Sequence, residues 1–531
     1  MPRPKIAVGA AEFEHAQELH RQGKLQDAEP VYQAALSARP EYFEAAYSLG
    51  ILYLQRGQPD LASDKLALAL KIDPQNAAAH REYGVALQAL GLNDEAIASF
   101  DTAIRLSPND PFAQFVRANT LSRAGRGEEA IAAYDAAIAL RPDYFEAIHN
   151  RANALRELDR LEVALADYRT AAALRPNEPV ALYNLAFALQ DTGHFDEAFA
   201  NYNRAIGLKK DFYEARKARG SLKLLLGRMP EGFKDFDWRL EASDRTIDPD
   251  LRRVRYWSGE SLQGKSIVVY GDGAFGDLVQ FARYLPLLAE RGAEVSLLAP
   301  LHFQKVLSST DLKARLVAEL DPARLPDLRC EVMSLPNLFK TDLTTIPPGI
   351  DLSSKDEDRI KSGSDALPRD RINVGICWQG NPARNIDKGR SIPLREFEAL
   401  AHIPGVRLVS LQRKHGIEQL ENLPAGMEVL QFDESFDSGE EAFVDTAAVL
   451  KSLDLVVTSD TAMAHVAAAC GCPTWVALRF VPEWRWLTER SDSPWYPNVR
   501  LFRQKELGAW TPVFAEVAAA LRPIAQAAAR R

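Results

Sequence analysis

Apolar residues in the first part of the chain recur at helical spacing, and the pattern repeats with a step of 34 residues. Two alanine series carry this step: Ala28, Ala62, Ala96, Ala130, Ala164 and Ala198, and Ala35, Ala69, Ala103, Ala137, Ala171 and Ala205. A proline follows in register at Pro40, Pro74, Pro108, Pro142 and Pro176. Proline cannot continue a helix, and small residues let two helices cross closely. The pattern predicts six helix–turn–helix repeats over about 9 to 212, followed by a degenerate seventh that caps the stack.

Beyond about residue 260 the pattern changes to apolar runs that alternate with amphipathic segments. The predicted strands are KSIVVY, AEVSLLA, RCEVMSL, INVGICW, VRLVSLQ, MEVLQF, LDLVVTS and TWVAL, and the predicted helices are 277–291, LREFEALAHI, AFVDTAAVLKSL and AMAHVAAAC. Buried β-branched runs between helices favour parallel sheets. The polar stretch 351–370 lacks a pattern and predicts a linker between two lobes. We therefore predict an α-solenoid over 1–245 and two Rossmann-like α/β lobes over 246–365 and 366–531.

Composition narrows the class of protein. A net charge of −9 disfavours nucleic acid as the main partner, because phosphate binding needs concentrated positive charge. Four scattered cysteines predict reduced thiols rather than disulfides. The N-terminal residues lack the apolar run of a signal peptide, and no stretch has the length of a membrane span. We expect a cytoplasmic protein without a metal site.

Glycines at 271, 273 and 276 follow a predicted strand with the G-x-G-x-x-G spacing of a dinucleotide-binding loop. Such a loop requires an acidic residue about 20 positions later, at the end of the next strand. That strand ends at Pro300, and the nearest acid, Glu294, precedes it. The dinucleotide hypothesis therefore fails. Asp277, directly after the third glycine, remains as either a general base or the cap of the helix that begins there.

A second strand–turn–helix segment, LDLVVTSDTAMAHVAAACGCP, predicts a phosphate site. Free amides at a helix N-terminus bind phosphate, here near Asp460, Thr461 and Ala462. The loop after the first strand of the same lobe brings polar and cationic residues to that edge: Asn381, Arg384, Lys388 and Arg390. His465 is either a donor contact or a packing residue. The segment Trp484–Trp486 either stacks on a base or forms an aromatic plug under the C-terminal helix.

These segments resemble known families. The 34-residue repeats resemble tetratricopeptide repeats. GDLVQFARYLPLL and DTAAVLKSLDLVVTSDTAMAHVAAACGCP resemble the heptosyltransferase motifs. Together with EGFKDFDWRL, the GNP…RSIPL loop and the ending WRWLTERSDSPWYPNVRLFRQ, they are similar to bacterial tetratricopeptide-repeat glycosyltransferases.

The resemblance implies a GT-B fold and inverting transfer from a nucleotide sugar, with no other cofactor. It implies Asp277, beside Gly276, as the catalytic base, and Asp460, Thr461 and Ala462 as the donor-binding segment. Lys388 or Arg390 matches the donor-binding lysine more loosely. True heptosyltransferases lack the repeats and have a different loop, so an ADP-heptose donor is not implied.

The repeats predict a binding partner. Asparagines recur on the first helix of successive repeats, at Asn119, Asn150, Asn153 and Asn184. A side-chain amide both donates and accepts hydrogen bonds, so these residues can clamp a peptide backbone. Average repeats also favour asparagine at these positions, which leaves a structural role open. The sequence thus predicts a protein acceptor. The alternatives are a lipid or polysaccharide acceptor, and a non-catalytic scaffold with a nucleotide-binding pseudo-transferase half.

Overall fold

The computed structural model describes residues 9–242, 247–271, 274–382, 389–439 and 441–530. The chain divides into two compact units, Met1–Ala188 and Leu189–Arg531. The boundary lies upstream of residue 245, where the sequence places the end of the repeats.

Paired helices build the N-terminal region. They are α1 (Ala10–Arg21), α2 (Leu25–Ala38), α3 (Phe43–Gln55), α4 (Pro59–Ile72), α5 (Ala77–Ala89), α6 (Asn93–Leu106), α7 (Pro111–Arg123), α8 (Gly127–Leu140), α9 (Phe145–Glu157), α10 (Leu161–Leu174), α11 (Pro179–Asp191), α12 (Phe195–Leu208), α13 (Tyr213–Leu225) and α14 (Met229–Phe236). The predicted helix–turn–helix repeats are confirmed. The second helix of a repeat ends two residues before the proline, as α2 does before Pro40.

The turn inside each repeat uses a left-handed residue. The positive φ angles fall at Gly23, Gly57, Gly91, Gly125, Asp159, Gly193 and Gly227, again 34 residues apart. Glycine adopts this conformation without a steric penalty, whereas for a residue with a Cβ the conformation is strained. Asp159, with φ of 60°, is the position in this series where the chain departs from glycine.

Helix crossings in the first unit depend on matched pairs of residues. A Cβ added at Gly50 would stand 2.6 Å from Leu66, and one added at Gly84 would stand 2.5 Å from Phe100. The equivalent positions in the next repeats carry alanine, and there the partner is a tyrosine, as in Ala118 with Tyr134. The size of the residue at each crossing therefore depends on the partner side chain within the same repeat.

Helices α12–α14 belong to the second unit, where the last pair packs on the α/β region. Phe233 lies edge-on to Trp484, with ring centroids 5.6 Å apart. Arg239 donates to Glu331 at 2.6 Å and to Ser334 at 2.8 Å, and all three side chains are buried. This ionic network ties the turn after α14 to the first sheet.

The first sheet has five parallel strands within the described residues, in the order β1-β5-β2-β3-β4. They are β1 (Arg255–Tyr256), β2 (Ser266–Tyr270), β3 (Glu294–Leu298), β4 (Arg315–Val317) and β5 (Leu328–Glu331). The register pairs Val268 with Ser296 and Ile267 with Leu328. The helices of this part are α15 (Pro249–Arg253), α16 (Phe275–Phe281), α17 (Leu285–Glu290), α18 (Leu301–Leu307) and α19 (Leu335–Leu338).

The second sheet has six parallel strands in the described part of the chain, in the order β11-β10-β9-β6-β7-β8. They are β6 (Ile372–Cys377), β7 (Val406–Ser410), β8 (Val429–Leu430), β9 (Leu455–Ser459), β10 (Thr474–Leu478) and β11 (Val499–Arg503). The helices are α20 (Glu357–Asp365), α21 (Glu398–Ala401), α22 (Val444–Val449), α23 (Ala462–Ala469) and α24 (Trp510–Ala528). Its core includes Trp378, Phe397 and Phe514. Parallel sheets after the repeats were predicted, and this part of the prediction is confirmed.

Three local predictions need correction. The helix predicted over 277–291 breaks into α16, a 3₁₀ turn at Ala282–Tyr284 and α17, because Pro286 cannot donate to the preceding turn. The predicted linker 351–370 contains α20, whose first turn is capped by Asp356 through the Arg359 amide at 3.1 Å. Strands β1, β4 and β11 were not predicted.

Candidate functional site

Each sheet reverses its strand order at one point, and the residues singled out from the sequence follow those points. In the first sheet the chain runs outward from β2 to β4 and returns on the other side of β2 as β5. In the second it runs outward from β6 to β8 and returns beside β6 as β9. Crevices at such switch points, outside the carboxyl ends of the strands, are where open α/β sheets bind ligands. Asp277 follows β2, Asn381 and Arg390 follow β6, and Asp460 follows β9.

Helices α16 and α23 touch where their first turns meet. A Cβ added at Gly276 would stand 3.0 Å from Cδ2 of His465 and 3.5 Å from Cα of Ala462. Any larger residue here would require the His465 ring to shift by a few tenths of an ångström, whereas the Ala462 backbone is at ordinary contact distance. The third glycine of the G-x-G-x-x-G segment therefore lets the helix that bears Asp277 contact the predicted phosphate-binding helix. Gly273 lies outside the described residues.

Arg485 is the centre of the polar contacts at this junction. Its guanidinium binds Asp277 through Nη2, donates to Gln280 through Nε at 2.6 Å, and donates to Glu483 through Nη1 at 2.5 Å. Arg485 and Gln280 are buried. Asp277 is thus positioned by an arginine that lies 208 residues away in sequence.

The charges around Arg485 are unbalanced. Burial alone would lower the pKa of its guanidinium, but the nearby carboxylates of Glu483 and Asp277 outweigh burial and raise it. Burial raises the pKa of Glu483, and the charge of Asp460 adds to this effect against the opposing pull of Arg485. Three carboxylates therefore share the neighbourhood of the Arg485 guanidinium.

His465 is buried and held by two aromatic residues. Its Nδ1 lies 3.1 Å from the Tyr496 hydroxyl, and its ring stacks on Trp486 at 5.4 Å between centroids. Burial lowers the pKa of His465 well below its usual value, and the charges of Arg485, Arg283 and Arg390 lower it further. His465 is therefore a neutral imidazole, and Arg390 lies close enough for its charge to act on that ring.

The N-terminus of α23 has no side-chain cap. Thr461 occupies the N-cap position, yet its hydroxyl makes no capping hydrogen bond. The hydroxyl lies instead 3.5 Å from that of Thr458 and 3.8 Å from Sγ of Cys377. Asp460 is buried beside it. The threonine thus links the ends of β9 and β6 rather than capping the helix.

The loop after β6 is anchored by a residue that the sequence reasoning missed. Oε1 of Gln412 accepts hydrogen bonds from the amides of Trp378 and Gln379, both at 3.0 Å. Its Nε2 donates to the Gln379 carbonyl at 2.9 Å. Asn381 is exposed and Arg390 half-buried on this loop, whereas Arg384 and Lys388 lie outside the described residues.

Tyr496 and Glu483 were likewise not predicted as site residues, and Arg485 was included only as part of the segment Trp484–Trp486. The only sequence signal for Arg485 was its place between two tryptophans. Trp486 packs on His465, and Trp484 packs on Phe233 and Phe281. Trp484 and Trp486 are buried packing residues that hold Arg485 in the site.

The repeat asparagines already have partners within the first unit. Asn119 accepts from the Tyr134 hydroxyl at 2.6 Å and from Asn150 at 2.9 Å. Asn153 accepts from the Tyr168 hydroxyl at 2.6 Å. Asn184 lies 2.9 Å from Nε2 of His149. These contacts give the asparagines a structural role that is independent of any peptide.

The described ranges contain neither a metal-binding cluster nor a membrane-spanning helix. No group of three or more His, Cys, Asp or Glu side chains there could hold a metal ion. In the same ranges, no helix combines the length and apolar character needed to cross a bilayer. All four cysteines are buried and unpaired.

Known families match the helical part of the chain. Family models described as Tetratricopeptide repeat match residues 13–77, 53–111 and 179–212. A model described as TPR repeat matches residues 152–193. The N-terminal region consists of tetratricopeptide repeats.

The chain is also similar to Protein FlbA of Caulobacter vibrioides, at 28% identity over 350 residues. The match covers 60% of this chain and 56% of FlbA, so this chain spans little more than half the length of that relative. Because 60% of the chain is longer than the part before the first sheet, the match includes part of the α/β region.

Among solved structures, YrrB, described as a TPR protein with an unusual peptide-binding site, is 19% identical with a TM-score of 0.32. It matches 35% of this chain and 97% of its own. A chain of the APC/C hetero-tetramer Cut9-Hcn1 is 18% identical with a TM-score of 0.36, and it matches 44% of this chain and 46% of its own. Scores this low carry no argument about the arrangement of the chain.

Proposed function

We propose that this protein is a glycosyltransferase of the GT-B type that moves a sugar from a nucleotide sugar to an acceptor hydroxyl. The observation that carries the proposal is the contact of α16 with α23 at Gly276. This contact places Asp277 beside a helix N-terminus suited to phosphate, at the carboxyl edges of two parallel sheets. The proposed base and the proposed donor-binding segment are thus side by side.

The proposed chemistry divides between these elements. Asp277 accepts the proton of the acceptor hydroxyl as that oxygen attacks the sugar carbon from the face opposite the nucleotide, which inverts the configuration. General-base assistance of this kind contributes roughly 10²–10⁴-fold. The amides at the start of α23 and the guanidinium of Arg390 stabilise the charge on the departing phosphate. Because these groups carry the required positive charge, the proposed reaction needs no metal.

Replacing the base tests this proposal. A panel of nucleotide sugars identifies the donor through nucleotide release. We expect Asp277→Asn to lower turnover by about 10² or more and to leave donor affinity within a few fold. Asp356→Asn is the matched control, since Asp356 also stands at a helix start but lies on α20.

A second candidate is a repeat scaffold with a nucleotide-binding pseudo-transferase half. One observation favours it: Asp277 is ion-paired with Arg485, a structural role that requires no chemistry. Near-wild-type turnover of folded Asp277→Asn would remove Asp277 as the base. Nucleotide binding without any nucleotide release across the panel would support the scaffold.

We propose further that the acceptor is a protein held by the repeats. Asn153→Ala is expected to raise the acceptor KM by about two- to tenfold, as one lost hydrogen bond predicts, and to spare the donor KM. Tyr168→Phe removes the internal bond to Asn153 but keeps the amide, so it separates peptide binding from repeat packing. Equal efficiency after deletion of residues 1–176 would instead favour a lipid or polysaccharide acceptor.

A further inference from the structure

The ring of His465 is fixed on two sides, and its two nitrogens differ. Nδ1 faces the Tyr496 hydroxyl at 3.1 Å. Nε2 is the nitrogen on the Gly276 side, 3.7 Å from the point where a Cβ on Gly276 would stand. Nε2 thus lies on the side where the first turns of α16 and α23 meet, and the proton on that nitrogen decides whether His465 donates or accepts there.

The direction of the Tyr496 hydrogen bond follows from the acidity of the two partners. An imidazole nitrogen is a stronger base than a phenol oxygen, so the favourable arrangement has the phenol donating. The guanidinium of Arg283 strengthens this preference. It lies 5.1 Å from the centre of the Tyr496 ring, and its positive charge makes the phenol oxygen a poorer acceptor.

With Nδ1 acting as the acceptor, a neutral imidazole must carry its proton on Nε2. His465 is neutral in this environment because it is buried beside three arginines. A neutral N–H at this place can bind an anionic oxygen without adding another buried charge.

We propose that Tyr496 positions His465 as the Nε2–H tautomer, and that His465 donates this hydrogen bond to a phosphate oxygen of the bound nucleotide sugar. The inference rests on the proposed function for the presence of that phosphate. Tyr496 acts only through His465 and is therefore a positioning residue.

Nitrogen NMR of the full chain labelled with ¹⁵N-histidine tests the tautomer. The chain has nine histidines, and His465→Gln identifies the signal of interest. We expect a proton on Nε2 and none on Nδ1 in the wild type, and a mixture of tautomers in Tyr496→Phe. Tyr284→Phe is the matched control, because its buried hydroxyl contacts Thr341 instead.

Binding of inorganic pyrophosphate supplies the second readout. It should shift the Nε2 signal in the wild type, and its affinity should fall about three- to tenfold in Tyr496→Phe while Tyr284→Phe retains it. A wild type that binds pyrophosphate with the proton on Nδ1 overturns the inference and spares the proposed function. So does Tyr496→Phe with unchanged tautomer and affinity. A wild type that binds neither pyrophosphate nor any nucleotide sugar overturns both, and the wild-type spectrum remains decisive if Tyr496→Phe fails to fold.

Discussion

The repeats and the α/β region hold their polar groups by contacts of different range. In the repeats, Arg151 pairs with Asp135 and Asp167, each 16 residues away. In the α/β region, Arg485 pairs with Asp277 across 208 residues. A local contact has equivalents in neighbouring repeats, which remain when one such contact is lost. The long-range contact of Arg485 with Asp277 has no equivalent of this kind among the described residues. Damage should therefore stay local in the repeats and should spread in the α/β region.

The largest expected effect is that of Arg485→Met. This change leaves the carboxylates of Asp277 and Glu483 without their buried cation, which costs about 3–5 kcal/mol of the free energy of unfolding. Arg490→Met, which breaks an ion pair with the exposed Asp492, should cost less than about 1 kcal/mol. All eight tryptophans lie at position 238 or beyond, so tryptophan fluorescence during urea unfolding reports on the second unit.

The loss of stability in Arg485→Met should also depend on pH. Because the pKa of Glu483 is raised in the folded state, its contribution to stability is present at low pH and is lost as pH rises through that pKa. Removal of Arg485 takes away the opposing charge, so the deficit of Arg485→Met should grow as the solution is made less acidic. A deficit that shrinks with rising pH would contradict the unbalanced charge at this site.

A moderate effect is expected from Gly276→Ala. The new Cβ would stand 3.0 Å from the His465 ring, and relief of this overlap should cost about 1–3 kcal/mol and lower turnover. Gly207→Ala on α12 is the control, since nothing lies within 4 Å of its Cβ position. Equal stability of the two variants would show that α16 and α23 do not depend on this close approach.

The smallest effect is expected in a repeat turn. Gly125 has φ of 75° and open space around its Cβ position, so Gly125→Ala should cost only the left-handed strain, about 1 kcal/mol. Gly125→Asp, which copies the residue found at 159, should cost less, because aspartate tolerates this conformation better. Circular dichroism at the helical band follows the loss. A cost above that of Gly276→Ala would reverse the comparison between the two regions.

The sequence predicts the repeats well, because each structural requirement recurs at a fixed step. Alanine at the crossings and proline after the second helix are local signals that each repeat restates. The two strand–turn–helix segments with Asp277 and Asp460 were also visible, since each is a continuous stretch of chain. The residues that contact these two segments could not be predicted from the sequence.

Arg485, Gln412 and Tyr496 show why. Each of these residues is separated from its partner along the chain by at least one strand. No regular spacing in the sequence therefore predicts the contact. The break of the predicted helix at Pro286 was a local signal that the apolar pattern concealed. Helix α20 was missed because a polar surface helix has little apolar periodicity, although Asp356 marks its start.

The matched residues at the helix crossings limit how repeats can be recombined. Helix α5 needs Gly84 because α6 brings Phe100, so exchanging α5 alone for a counterpart that carries alanine, such as α7 with Ala118, would create an overlap. Whole repeats carry their own pairs. Residues 111–178 therefore form a cassette that can be duplicated to extend the array by two modules, whereas a chimera joined inside a repeat would not pack.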